Sequence, residues 1–212
     1  MKYCANFCIV IILCLTLTSC GKISGDKKDS SAIPPATSST EAAAEAEALT
    51  ISDSGSTILW TVTEKGARYS VKGGQGETAA EIKIEKDRVK VSDGNGKPIC
   101  KIKKKDIGCK VYDGNDQELY RIRSKEGELK IKDTKDNEIA HIRKKGDQLS
   151  VKCSSPCKVK ESGGTVEIND EKGALLFQVT GPVKKEEACF LGITAMDPVH
   201  RIALLVFYRE VH

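Results

Sequence analysis

The 212-residue sequence has few of the residues and motifs by which an enzyme is recognised from sequence alone. It contains three histidines, His141, His200 and His212, and none belongs to a recognisable Ser/His/Asp or Cys/His arrangement. The "GGQG" stretch at Gly73 stands in a predicted hairpin tip, without the following helix that a phosphate-binding loop requires. We therefore predict no catalytic residues and no cofactor.

A metal site is also not expected from the sequence. The stretches "DGNGK" and "DGNDQE" lack the spaced carboxylates and the closing glutamate of an EF-hand calcium loop. We expect ordinary turn chemistry at Asp93, Asp113 and Asp133 and no bound metal.

No hydrophobic run in the sequence is long enough for a membrane-spanning helix. The apolar stretch "FCIVIILCLTL", from Phe7 to Leu17, follows a short positive start at Met1-Lys2. This combination is typical of a secretory signal peptide, which is removed from the mature protein.

The residues after this stretch, Leu17-Thr18-Ser19-Cys20, resemble the bacterial lipobox. That resemblance implies a lipoprotein signal peptide over residues 1–19, with diacylglycerol on the Cys20 thiol and an acylated amine. Such an anchor holds a protein firmly at a membrane. Gly21 follows Cys20, at the position where the inner-membrane retention signal of such lipoproteins has Asp. The resemblance therefore implies attachment to the outer membrane if the host is diderm. The alternative is an ordinary signal peptide cleaved after a small residue.

Residues 20–48 are rich in Ser, Thr, Ala, Pro and charge and have almost no large apolar side chains. Such a segment cannot bury enough surface to offset its ordering entropy. We predict a disordered tether here, followed by a single folded domain over residues 49–212.

The most informative feature of this domain is a repeat of 20 residues. "VSDGNGKPICKIK" begins at Val91, "VYDGNDQELYRIR" at Val111 and "IKDTKDNEIAHIR" at Ile131. Before and after each Asp-containing stretch, apolar residues alternate with polar ones, which predicts a β-hairpin with one buried face. The pattern predicts seven hairpins and up to fourteen strands. The inward pairs include Val89/Val91, Cys100/Ile102, Cys109/Val111, Tyr120/Ile122, Leu129/Ile131 and Ala140/Ile142.

The C-terminal stretch "MDPVHRIALLVFYREVH" predicts how the hairpins close. Asp197 and Pro198 are typical of the first positions of a helix. The residues from Ile202 to Tyr208 are apolar on every side, so the helix must be enclosed. The predicted fold class is therefore mainly β, with antiparallel hairpin repeats closing into a barrel around a hydrophobic C-terminal helix. A shorter helix, from Lys184 to Leu191, is expected to lead into it.

Repeated hairpins of the "VYDGNDQELYRIR" kind, followed by a hydrophobic C-terminal helix, resemble the tubby C-terminal-like barrels. These include the LURP-one-related and scramblase-like proteins. The resemblance covers residues 49–212 and implies a twelve-stranded barrel. The "YDGN" tips are also similar to the YD repeats of Rhs-type shells, which are much longer chains without a buried terminal helix.

Five cysteines remain in the predicted domain. Cys100, Cys109 and Cys157 occupy inward positions, so they are expected to be small buried hydrophobes. In the predicted register Cys100 faces Val91 and Val111, and a Cys100–Cys109 disulfide is disfavoured as a diagonal pair. Cys153 and Cys157 flank a shortened tip and are candidates for a disulfide. Inert thiols, or metal or redox work, are the alternatives at this pair.

Basic residues occupy outward positions of three successive hairpins, at Lys101, Lys103, Arg121, Arg123 and Arg143. These side chains predict a positive patch able to attract an anionic surface. A solvated face is the alternative, because the net charge of the whole chain is only +4. His141 occupies the position in the third hairpin that corresponds to Lys101 and Arg121, and we expect it to be exposed.

Taken together, the sequence predicts a non-enzymatic binding or structural lipoprotein of the cell envelope. Its partners are expected to be the membrane, through the N-terminal lipid, and a protein or anionic envelope component, with no nucleic acid. Two alternatives stay open: an enzyme whose site is assembled only in three dimensions, and a protein that interacts with anionic lipid.

Overall fold

Fourteen strands and two α-helices make up the part of the chain that a computed structural model describes, residues 47–212. The predicted signal peptide, Cys20 and residues 21–46 of the predicted tether lie outside these residues. The first strand begins at Ala48, one residue before the predicted domain boundary. The strands are β1 Ala48–Asp53, β2 Ile58–Glu64, β3 Arg68–Gly73, β4 Thr78–Glu85, β5 Arg88–Ser92, β6 Pro98–Lys105, β7 Gly108–Asp113, β8 Glu118–Lys125, β9 Glu128–Asp133, β10 Glu138–Lys145, β11 Gln148–Cys153, β12 Cys157–Ser162, β13 Thr165–Asp170 and β14 Leu175–Thr180.

Each strand pairs antiparallel with the next along the chain, and β1 closes the barrel by pairing with β14. Ile51 lies opposite Val179 at this closing seam. A closed barrel leaves no strand edge exposed, so a meander of hairpins that are unstable alone becomes a finished sheet. The predicted barrel of hairpins is confirmed, with fourteen strands and not the twelve that the resemblance implied.

The hairpin tips repeat one hydrogen-bonding arrangement built on aspartate. At β7–β8, Asp113 Oδ1 accepts hydrogen bonds from the backbone N–H groups of Asn115 and Gln117, at 2.9 and 2.8 Å. Asp116, next to this Gln, has a positive φ of 66°, which Asp tolerates better than most residues. This is the turn chemistry that the sequence predicts. The same arrangement recurs at Asp53, Asp93, Asp133 and Asp170.

These tips all lie at one end of the barrel, which we call the tip end. The opposite end, which we call the base, carries the shorter turns that link one hairpin to the next. At the base, the backbone pair Lys105–Gly108 leaves only Asp106 and Ile107 in the turn between β6 and β7. The strand β1 also begins at the base, because Ala48 pairs with Thr63 near the end of β2.

The predicted register of β6 against β7 is wrong by two residues. Cys100 does face Val91, but on its other side it lies opposite Asp113, while Val111 pairs with Ile102. The two-residue turn at the base fixes this pairing. It depends on Gly108, whose φ is +133° and where an added Cβ would come within 2.2 Å of the Ile122 carbonyl oxygen.

The interior of the barrel is filled by inward side chains and by the C-terminal helices. Helix α1 (Lys185–Ala188) continues into a 3₁₀ helix (Cys189–Gly192), and α2 spans Pro198–Glu210. Asp197 caps α2 by accepting a hydrogen bond from the Val199 N–H at 2.8 Å. Residues 201–207 of α2 are all buried, which confirms the enclosed helix that the sequence predicts. Among residues 47–212, no helix has the length and apolar character to cross a membrane.

Candidate anion-binding face

The outward side of β5 to β10 carries the predicted basic residues together with others from the intervening strands. Because alternate residues of each strand point inward, each of these cations is next to an inward residue of its strand. They repeat with the period of the hairpins, 20 residues, since the hairpins themselves do. We call this surface the basic face, and its cations are Lys90, Lys101, Lys103, Lys110, Arg121, Arg123, Lys130, Lys132 and Arg143.

Like charges stand directly opposite one another across this face. Lys103 pairs with Lys110, Lys110 with Arg121, and Arg121 with Lys132, so four cations follow each other across four strands. Opposed like charges destabilise a sheet by a few tenths of a kcal/mol up to about 1 kcal/mol per pair. Such a row needs either carboxylates or a bound anion to offset its repulsion.

Carboxylates offset part of this repulsion. Glu118 accepts from Lys110 Nζ at 2.6 Å and from Arg121 Nη2 at 2.9 Å. The hydrogen bond from Lys110 holds the pKa of Glu118 below its usual value. Asp136 lies 3.6 Å from Arg121 and 3.3 Å from Lys132. Glu118 and Asp136 lie at the tip end of the barrel. These contacts therefore hold the charged groups of Lys110, Arg121 and Lys132 toward that end.

Tyr112 organises two of the predicted lysines. The ammonium groups of Lys101 and Lys103 lie 5.7 and 5.3 Å from the centre of its ring, within cation–π range. Lys101 also forms an ion pair with Asp116, which lowers the pKa of that carboxyl group. Lys101 is therefore held by the protein itself, and its side chain is only 17% exposed.

The five predicted cations are not equivalent. Arg143 is paired with Glu128 at 3.2 Å, as Lys101 and Arg121 are with their own carboxylates. Within residues 47–212, no carboxylate lies within ion-pair distance of Lys103 or Arg123. Lys103 and Arg123 are therefore the cations of this set that are most available to an external anion.

Sequence reasoning missed the cations of the intervening strands. Lys110 and Lys130 lie between two inward residues of β7 and β9, and each is opposite a predicted cation: Lys110 faces Lys103 and Arg121, and Lys130 faces Arg123. The signal was present, because these two lysines are separated by 20 residues like the other repeats.

The expectation of an exposed His141 is wrong, because this residue is 5% exposed. Its Nε2 lies 2.9 Å from Glu128 Oε2, and its Nδ1 lies 3.5 Å from Glu138 Oε1. The contact with His141 is the largest cause of a lowered pKa at Glu128. The ring does occupy an outward strand position, but neighbouring side chains from β9 and β10 cover it.

Two cavities are lined by residues of β3 to β8. The smaller one, about 310 Å³, is at the base, and we call it the basic pocket. It is lined by four cations, Lys105, Lys110, Arg121 and Arg123, against the single carboxylate of Asp106, with Ile107 at its side. The larger one, about 670 Å³, has four cations and three carboxylates in its lining, so its charges nearly balance. Lys110 and Arg121 are bound by Glu118 as well, so the excess of positive charge at the basic pocket comes from Lys105 and Arg123.

The cysteine pair Cys153 and Cys157 meets at the tip between β11 and β12. Their Sγ atoms lie 3.7 and 3.8 Å from the same carbonyl oxygen, that of Gly192, and both thiols are free in this structure. Burial raises the pKa of Cys157 to about 12, with a smaller contribution from Cys153. The predicted disulfide is not tested by this arrangement and stays a prediction.

The remaining thiols are buried, and His200 and His212 pack against aromatic side chains. Cys100 and Cys109 are 3% and 1% exposed, as their inward positions predict. His200 packs edge-on against Tyr120, and the His212 ring stacks on Tyr208. In the described part of the chain, no three His, Cys, Asp or Glu side chains come together in a way that would hold a metal ion.

Comparison with known proteins adds one similar structure. No protein-family model matches the sequence, and no curated protein matches it. A protein of Arabidopsis thaliana, solved by X-ray crystallography, is similar over 69% of this chain and 87% of its own, with 14% identity and a TM-score of 0.36. The fold is established by the strand pairing of this chain itself.

Proposed function

We propose that the protein is a lipoprotein of the cell envelope whose barrel is a non-enzymatic binding module for an anionic partner. Lipid on Cys20 holds the chain at the membrane, which is the outer membrane in a diderm host. The basic face then presents its cations to an anionic component of that envelope. The single observation that carries this proposal is the row of opposed cations from Lys103 to Lys132.

The filled interior supports a binding role for the outer surface. Leu204, Leu205 and Val206 of α2 are each 0% exposed, and the inward residues of the strands pack around them. The two cavities described above are lined largely by outward residues of the strands, among them Lys83, Lys90 and Lys101 in one and Lys110, Arg121 and Arg123 in the other. A partner of any size is therefore expected at the surface.

The opposed cations support an anionic partner. Core packing does not require Lys103, Lys110 and Arg121 to be cationic, because all three point away from the core. A polar neutral residue at any of them would remove the repulsion without changing the barrel. A bound anion offsets the repulsion that the carboxylates leave, since it interacts with Lys103 and Arg123 as well.

Charge reversal tests the proposed function. The mature chain carrying Cys20→Ala, with Lys103, Arg121 and Arg123 all changed to Glu, is expected to lose most of its binding to vesicles that contain an anionic phospholipid. Binding of the parent Cys20→Ala chain should weaken steeply as salt is added, because exposed charges are screened over about 10 Å at 0.1 M salt. Thermal melting should change little: Lys103 and Arg123 have no carboxylate partner among residues 47–212, and Arg121→Glu exchanges its contact with Glu118 for the opposed Lys110 and Lys132.

A matched control changes the same number of cations elsewhere. Lys97, Lys135 and Lys172 are exposed residues of the tip end, and only their backbone N–H groups contribute to the aspartate turns. Changing these three to Glu alters the net charge equally and should leave vesicle binding much closer to that of the parent. Equal losses in both triple variants would mean that net charge alone, and not the basic face, determines binding.

The family assignment belongs to this proposal as well. The hairpin repeats and the enclosed C-terminal helix are the features on which we propose a place among the tubby C-terminal-like barrels, with the LURP-one-related and scramblase-like proteins. The lipobox at Leu17–Cys20 supports a bacterial lipoprotein. Detection of the lipid by mass spectrometry of the N-terminal peptide would test the second part directly.

A further inference from the structure

Ile107 is an apolar side chain in a position where the fold does not need one. It is 60% exposed, and it is one of two strongly exposed large hydrophobic residues in the described chain, the other being Ile58. It occupies the second position of the two-residue turn between β6 and β7. The other turns at the base carry polar or small residues at their centres: Gly66, Lys86–Asp87, Glu126–Gly127, Gly146–Asp147 and Gly163–Gly164.

Backbone contacts join the turn that carries Ile107 to the neighbouring strand. The Ile107 carbonyl oxygen accepts a hydrogen bond from the Ser124 N–H at 2.9 Å, which ties the turn to β8. Gly108 follows, with the positive φ that allows β7 to approach the Ile122 backbone closely. Ile107 therefore projects from a turn at the end of the barrel that is hydrogen-bonded to the neighbouring strand.

The surroundings of Ile107 are cationic. Lys104 and Lys105 precede the turn and are exposed, and Arg123 is exposed on the adjoining strand. The basic pocket lies directly beside Ile107, with Asp106 as its one carboxylate. An apolar side chain surrounded by lysine and arginine matches a bilayer surface, where anionic headgroups lie above acyl chains.

The point at which the N-terminal segment joins the barrel supports the same surface. The chain reaches the barrel through Glu47 and Ala48, and Ala48 lies at the base, the same end as Ile107. Residues 21–47 connect Cys20 to this end. The segment that follows Cys20 is therefore attached to the barrel at the base, and not at the tip end with its aspartates.

We propose that the base of the barrel docks on an anionic bilayer, with Ile107 inserted among the lipid chains and the basic pocket against the headgroup phosphates. This inference rests on the proposed function and adds two points to it: the partner is an anionic bilayer, and the base is the end of the barrel that contacts it. Two kinds of contact act together: attraction of cations to headgroups, which salt screens, and burial of the isoleucine, which salt does not weaken.

The test compares two isoleucines that are both exposed. Binding of the mature Cys20→Ala chain to phosphatidylglycerol/phosphatidylcholine vesicles is measured by flotation, for the parent and for Ile107→Ser, Ile107→Leu and Ile58→Ser. Ile107→Ser should weaken partitioning about tenfold, since burial of much of an isoleucine side chain is lost. Ile107→Leu and Ile58→Ser, the latter at the tip end and 48% exposed, should bind like the parent.

A soluble polyanion separates insertion from simple charge attraction. Inorganic polyphosphate should bind the parent and Ile107→Ser equally, because it offers no apolar layer. If Ile107→Ser loses polyphosphate and vesicle binding alike, the substitution only disturbs the basic pocket, and insertion is refuted. If Ile107→Ser binds vesicles like the parent while the triple charge reversal does not, docking through Ile107 is wrong and the basic face still stands. If the parent binds neither vesicles nor polyphosphate at low salt, both proposals fall.

Discussion

The phenol oxygen of Tyr69 lies 2.7 Å from Oε1 of Glu210, which joins the barrel wall at β3 to the last residue of α2 across 141 positions of the chain. At the same end, Arg209 donates a hydrogen bond to the Pro182 carbonyl oxygen at 2.7 Å, and Lys104 donates one to the Val211 carbonyl oxygen at 2.8 Å. The helix is thus fastened at the base as well as buried. Wall and helix are expected to unfold together.

Disrupting the core of α2 should therefore unfold the whole barrel. Leu205 is 0% exposed, so Leu205→Asp places an unpaired charge in the core and should cost several kcal/mol of unfolding free energy. Deleting residues 197–212 should cause aggregation or unfolding, because the inward faces of the hairpins lose their partner. Circular dichroism melts check both variants. A truncated chain that melts cooperatively near the parent temperature would show that the barrel does not need the helix.

Lipid attachment at Cys20 predicts where a variant will be found. Cys20→Ala removes the thiol that would carry the diacylglycerol. The mature protein should then be found in the soluble periplasmic or extracellular fraction, because firm anchoring needs two or more acyl chains. Detergent phase partition followed by immunoblotting measures this. Cys153→Ala, a half-buried thiol of the barrel, is the control and should stay with the membrane. Retention of Cys20→Ala in the detergent phase would contradict the lipobox interpretation.

Stability should fall at alkaline pH because buried thiols resist ionisation. Burial raises the pKa of both Cys100 and Cys157 to about 12, whereas a thiol in the unfolded chain has a pKa near 8.5. Above about pH 8.5 the unfolded chain loses these protons while the folded chain keeps them. The free energy of unfolding should then decrease with a slope approaching about 1.4 kcal/mol per pH unit for each such thiol, up to about pH 12.

Urea unfolding under reducing conditions at several pH values above about 8 measures that slope. Cys100→Ala should show a shallower decline than the parent, whatever its stability at neutral pH. A parent whose stability is constant from about pH 8.5 to 10.5 would show that these thiols ionise as readily in the folded chain as in the unfolded one.

Cys153 and Cys157 should form a disulfide under oxidising conditions. Both thiols lie against the Gly192 carbonyl oxygen, and Cys153 is half-buried, so an oxidant can reach it. Peptide mapping without reductant should recover a peptide in which Cys153 and Cys157 are linked. Alkylation should then label three of the five barrel thiols. Cys100→Ala should leave the bridge intact. Five alkylatable thiols after oxidation would identify the pair as inert.

The sequence determined the hairpins, their tips and the enclosed helix because each of these follows from local chemistry. Alternation with a period of two sets which side of a strand is buried, and Asp113 satisfies its own turn whatever the neighbouring hairpins do. The run from Ile202 to Tyr208 has no polar side on which to face water. These features depend on residues close together in the chain, so a single sequence is enough to predict them.

The tertiary structure alone decided which outward groups are available. His141 occupies an outward position, but Glu128 from the neighbouring strand covers it, and Arg143 shares that carboxylate. Lys103 and Arg123 have no such neighbour among the described residues, although the repeat makes them look equivalent to the others. Exposure and pairing of a side chain depend on the register between strands. The two-residue turn between β6 and β7 sets a register that differs by two residues from the predicted one. A charge pattern in sequence therefore predicts a face, while the closing of the barrel determines which of its charges meet a partner.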